Sequence, residues 1–215
     1  MKPILKTITV AAIICATVMV CFAVIYFSQP KQKAEHSLKK FLRGCQKMDG
    51  EMLAEYSHIN DLAPILMPFI DDKEYDDDGQ MCCAMMDMMN SPDSYSIESG
   101  RPAKKSISEI KNLVTENLKK ETEIAAYVKE KKDIELDLSG TDCEQALIDF
   151  LGQVEDAYTF NVTLKTDGNK ETDELTVVKY NGKWGAAPFL DDLLIPSIHY
   201  PEQMKEELGI TDDAA

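Results

Sequence analysis

Residues 160–189, FNVTLKTDGNKETDELTVVKYNGKWGAAPF, decide the fold. With Tyr158 before them, Phe160, Val162 and Leu164 alternate with polar residues, the period-two pattern of a strand with one buried face. Asp167-Gly168 supplies a turn and residues 175–180 return. Asn181-Gly182 is the strongest short hairpin signal in the chain, since a two-residue hairpin turn needs positive φ at both positions. Lys183, Trp184 and Gly185 start a third strand. The stretch is an antiparallel meander, and the helical patterns around it make the class α+β.

On the far side of the meander, residues 189–195 and 201–208 read as two short closing helices. On the near side, Thr141-Asp-Cys-Glu144 is a capping box that opens a helix carrying Ala146, Leu147, Phe150, Leu151 and Val154. Residues 133–138, with Ile134, Leu136 and Leu138 alternating with acids, read as a strand. A second capping box, Ser106-Ile-Ser-Glu109, opens a long amphipathic helix with Ile107, Ile110, Val114, Leu118, Ile124 and Val128 on its apolar side. Residues 95–98 make a short strand. The apolar run 62–70 is broken by Pro64 and Pro68 and reads as a packed irregular connection. Ala34, Leu38, Phe41, Leu42, Cys45 and Met48 recur at helical spacing, so a helix spans 34–48 and stops at Asp49-Gly50. Met52, Leu53 and Tyr56 add another turn or two, and residues 28–33 are a polar linker.

The N-terminal stretch 8–27, ITVAAIICATVMVCFAVIYF, has no charge, Pro or Gly. At about 1.5 Å per residue, a helix of that length spans the roughly 30 Å hydrocarbon core of a bilayer. Lys2 and Lys6 resemble the basic start of a signal peptide, but the apolar run is too long for one and no small-residue cleavage site follows. Ile14 and Val20 stand where a lipoprotein signal before Cys15 or Cys21 would need a small residue. Residues 1–27 therefore read as an uncleaved signal-anchor whose lipid partner is contacted through 8–27. Residues 34–215 form one domain, with 71–93 as an acidic, Met/Cys-rich insertion. Lys31, Lys33, Lys39, Lys40 and Arg43 behind the anchor favour a cytoplasmic domain on charge count alone. The short, signal-like arm favours an extracytoplasmic one, which is the orientation adopted.

The chain carries a formal net charge of −15, almost all of it beyond the anchor. Such a surface repels phosphate backbones and anionic headgroups, which argues against nucleic-acid binding. Cys45, Cys82, Cys83 and Cys143 lie outside the anchor. Four cysteines permit two disulfides, but a domain of this size needs no staples, and Cys45 and Cys143 fall on apolar helix faces.

Two pieces together resemble the nuclear transport factor 2-like, cone-shaped α+β superfamily. One is the helix pair 34–57, AEHSLKKFLRGCQKMDGEMLAEYS; the other is the meander ending in Val178-Lys179-Tyr180-Asn181-Gly182-Lys183-Trp184. Ala34, Phe41, Leu42 and Asp49 stand where membrane-anchored and lipoprotein-like members from Gram-positive bacteria carry A-x-x-F-L-x-A-x-x-x-x-D. The resemblance implies helices on a curved antiparallel sheet, an envelope location, and Trp184 plugging the cone against the first helix. Enzymatic members use Asp, His or Tyr inside the cone, and no motif of this chain takes up those roles.

Candidate chemistry concentrates in 71–89. Met81, Cys82, Cys83, Met85, Met86, Met88 and Met89 offer the soft sulfur that Cu(I) prefers, although Met at helical spacing commonly fills cores. Glu74, Asp76 and Asp78 followed by Gly79 approach a calcium loop, yet the twelfth position from Glu74 is Met85, where an EF-hand needs Glu. Glu74, Asp76, Asp78, Cys82 and Cys83 are thus the candidate metal ligands. His36, His58 and His199 sit in unrelated contexts and read as surface or packing residues. No nucleophile elbow, zinc-protease helix or phosphate-binding Gly loop occurs. The expectation is a membrane-anchored, extracytoplasmic, non-catalytic binding module for a protein partner or small ligand, with no cofactor. The alternatives are a calcium or copper module built on 71–89 and a small-molecule enzyme with its site in the cone.

Overall fold

The computed structural model describes residues 29–66, 78–87, 91–132, 141–188 and 190. In chain order these form α1 (Pro30–Lys47), α2 (Gly50–Tyr56), α3 (Ile59–Leu66), α4 (Asp78–Asp87), β1 (Ser94–Ile97), β2 (Arg101–Pro102), α5 (Lys104–Lys132), α6 (Thr141–Gln153), β3 (Val154–Thr166), β4 (Asn169–Tyr180) and β5 (Lys183–Ala186). Helices pack on a curled antiparallel sheet, the α+β arrangement expected. The anchor 8–27, the strand 133–138 and most of the closing helices lie outside the described residues, as do Glu74 and Asp76 of the acidic run. Among the described residues, no helix is long and apolar enough to cross a membrane.

The sheet runs β1-β3-β4-β5, with β2 also beside β3. Both expected turns close it: Asp167 and Gly168 have φ of 51° and 83°, and Asn181 and Gly182 have 49° and 76°. These are the left-handed values that two-residue hairpins require. The return strand is longer than the apolar run 175–180 suggests. It starts at Asn169, because the polar residues up to Glu174 pair in register with Asn161 to Thr166. Pairing skips at Glu155, whose carboxylate turns onto Lys179 and onto the backbone N–H of Gly182 at 2.6 Å. This bulge ties the start of β3 to the second turn.

Helix α1 starts at Pro30, inside the stretch expected as a linker, because Pro is suited to the first helical position, where the backbone N–H has no helical partner in any case. It ends at Met48, which adopts the left-handed cap conformation usually given to Gly. Its buried residues include Ala34, Leu38, Phe41, Leu42 and Cys45, the expected stripe. Residues 59–66 are helical rather than irregular; Pro64 removes one hydrogen bond, that to the Asn60 carbonyl, without ending the helix. The capping box at Ser106 does not open its helix, whereas α6 does begin at Thr141. Lys104 starts α5 two residues before Ser106, with Ile107 N–H already bonded to the Ala103 carbonyl at 3.0 Å. Glu144 of α6 faces α5 instead of its own backbone.

Register puts Phe160, Val162, Leu175, Val177, Trp184 and Ala186 on one sheet face. Phe160, Val162 and Val177 are fully buried there. Helix α1 spans this side: Ser37 Oγ donates to the Trp184 carbonyl at 2.8 Å and Tyr95 Oη to the Lys39 carbonyl at 3.2 Å. Trp184 is half-buried with its ring 5.9 Å from that of Tyr158, so it packs at the rim of the core.

Candidate functional site

The second sheet face is divided. At its lower end Ala157 and Val178 are buried, and Tyr180 stacks on Phe150 of α6 with centroids 4.8 Å apart. Beyond them the face is polar: Ser96, Asn161, Thr163, Thr172 and Glu174 are exposed or half-exposed. Thr163 and Thr172 share a cross-strand hydroxyl bond of 3.0 Å, Thr159 and Thr176 another of 3.0 Å, and Arg101 pairs with Glu174 at 2.6 Å. Such pairs fix side chains in a regular grid, so the strands present an ordered hydrogen-bonding surface.

His58, read from sequence as a surface or packing residue, lies in the core with 1% of its surface exposed. Its Nδ1 is 2.7 Å from Asp61 Oδ2 and its Nε2 is 3.3 Å from the Val178 carbonyl. The ring is thus held between a carboxylate and a backbone carbonyl, one at each nitrogen. The ring also lies edge-on to Phe150 and Tyr180, and a Cβ on Gly185 would meet it at 2.7 Å. His58 therefore joins α3 to β4 and β5 by filling a space that only Gly185 leaves. These contacts pin the start of α3 to the sheet.

The sulfur-rich segment is helical, as α4, and the structure separates its two cysteines. Cys82 is fully buried with Sγ 3.4 Å from Asn60 Oδ1, whereas Cys83 points to the Met48 carbonyl at 3.4 Å. Successive residues on a helix point about 100° apart, so vicinal cysteines diverge. Asp78 begins the helix, while Glu74 and Asp76 lie outside the described residues. Among the described residues, no three His, Cys, Asp or Glu side chains gather as a metal site. Among the described residues, Cys45, Cys82, Cys83 and Cys143 are not joined in disulfides, and burial pushes the Cys45 thiol up to about 12. Helix α4 holds to α2 by backbone contact: a Cβ on Gly50 would sit 2.6 Å from the Gly79 carbonyl oxygen.

One pair of acids has no counterpart in the sequence reading. Glu121 of α5 and Glu144 of α6 are 1% and 8% exposed, and their carboxyls act on each other. Glu121 Oε1 and Glu144 Oε2 are buried without a hydrogen-bond partner. Desolvation, then the neighbouring Glu121 charge, pushes Glu144 up to about 8; desolvation also raises Glu121. The signal was present as a gap: the buried stripe of α5 runs Ile107, Val114, Asn117, Glu121, Ile124, Val128, with two polar residues on the apolar spacing.

No family model, curated protein or solved structure matches this chain.

Proposed function

We propose that the protein is a membrane-anchored, extracytoplasmic, non-catalytic binding module of nuclear transport factor 2-like architecture. The fold reading is supported by α1 crossing the sheet at Trp184 and by the curled antiparallel meander beneath it. The anchor is supported by the apolar stretch 8–27. One observation carries the binding mode: the sheet is filled with apolar side chains on the α1 side, while its outer face beyond Thr159 offers ordered hydroxyls, an amide and charges to solvent. The docking surface is this polar face rather than an apolar patch. Leu113 of α5 is the exposed large apolar residue among those described. The partner is a protein segment that supplies hydrogen-bonding groups to Asn161, Thr163 and Thr172.

Site-specific photo-crosslinking in intact membranes tests this, with the probe at Thr172 and, as a control, at the exposed Lys105. A discrete crosslinked partner from Thr172, absent from Lys105 and lost on Asn161→Arg, is expected. Equal products from both sites, or a Thr172 product indifferent to Asn161→Arg, would contradict the assignment.

A further inference from the structure

We propose that Glu121 and Glu144 form a proton-held latch: their carboxyls share one proton that keeps α5 and α6 packed, and its loss loosens that helical hairpin. Two ionised carboxylates can only accept, so neither can satisfy the other, and packing Glu121 against Glu144 requires at least one of them to carry a proton. Both side chains are more than nine-tenths buried, and each keeps an oxygen with no partner. A second charge in that space would therefore be repelled by the first while buried, which is costly.

The surroundings leave the proton as the controlling ligand. Among the described residues, Glu121 is the charged group acting on Glu144, and desolvation is the larger influence on each. Among the described residues, several charged groups of the neighbouring elements are engaged elsewhere. On α3, Asp61 holds His58; on β3, Glu155 holds Lys179 and its carbonyl takes Lys104. Along α5 itself, Lys119 pairs with Glu123 on the solvent side, and Lys111 lies beside Gly152 at the other end of α6. Asp142, in the same first turn as Glu144, is exposed. The helix N-terminus favours a negative charge on Glu144, which is opposed by burial and by Glu121.

The sign follows from the raised values. Below the ordinary carboxyl range, folded and unfolded chains both carry the protons and the latch is fully closed. As pH rises towards about 8, the unfolded or opened form releases a proton that the packed form must retain, so packing is progressively lost. Above that value the loss is complete.

Amide hydrogen exchange on the full chain in mild detergent tests the latch, each rate divided by the intrinsic rate at that pH. Protection in α5 and α6 is expected to fall about tenfold per pH unit between pH 6 and 8, as one linked proton requires, while protection in β3 and β4 stays level. Glu144→Gln, which keeps the size and supplies an N–H donor, should abolish the slope; Glu121→Gln serves the same purpose if that variant does not fold. Level protection of α5 and α6 in the unmodified protein would overturn the proposal. So would a slope that survives in both variants, or a protection that collapses on adding a chelator at pH 6, which would make a cation the ligand.

Discussion

The β3–β5 meander and the α5–α6 hairpin are stabilised in opposite ways. The meander turns on Asp167-Gly168 and Asn181-Gly182, whose backbone angles local chemistry dictates, and its buried acceptors are met by the sheet ladder. The helical hairpin brings two buried acids together, each with a carboxyl oxygen that has no partner. Their pH responses differ in sign as well. Lys179 first, then the Gly182 N–H, hold Glu155 below its ordinary value, so the stability it adds to the meander is present above the ordinary carboxyl pKa and lost as pH falls through the lowered one. The Glu121–Glu144 contribution is present in acid and lost as pH rises towards about 8. One protein thus holds an acid-sensitive and an alkali-sensitive region.

The largest test of this contrast is Phe160→Ala. Phe160 is fully buried, and the ring lies against Gly100, where a Cβ would sit 2.3 Å away. Removing the ring should cost about 3–5 kcal/mol by urea unfolding, independent of pH. A loss that varied with pH would break the separation of the two regions. Gly182→Val comes next: forcing a branched residue to a φ of 76° should cost about 1–2 kcal/mol and weaken β5 pairing, read as faster exchange at Trp184 and Ala186. The smallest effect belongs to Glu155→Gln. It should trim stability slightly at neutral pH and remove that residue's share of the acid-side loss, leaving the alkaline side unchanged; thermal melts from pH 3 to 8 would show both.

Legibility in the sequence follows the same division. Asn181-Gly182 and the alternation from Tyr158 to Leu164 are local signals, and the meander could be read from them because turn angles and sheet faces are set within a few residues. Helix starts were less legible. Pro30 and Lys104 open helices upstream of the expected positions, since tertiary contacts carry the first turns. Burial of an acid is a tertiary fact: Glu144 sits at a capping-box position, and only α5 on the other side reveals why it turns away. Glu121 was detectable in principle, standing seven residues after Val114 and seven before Val128. His58 offered less, because the space beside Gly185 exists only once β5 lies against the start of α3. The polar face shows in the sequence as residues opposite Phe160 and Val162, but its openness depends on which helices cover it.

The most direct test of the contrast between the two regions is an NMR titration of the side-chain carboxyl carbons, with Glu121, Glu144 and Glu155 assigned. The account predicts one step of the Glu121–Glu144 pair near pH 8 and Glu155 titrating below the ordinary carboxylate range. All three titrating together in the ordinary range, about pH 4 to 5, would contradict it.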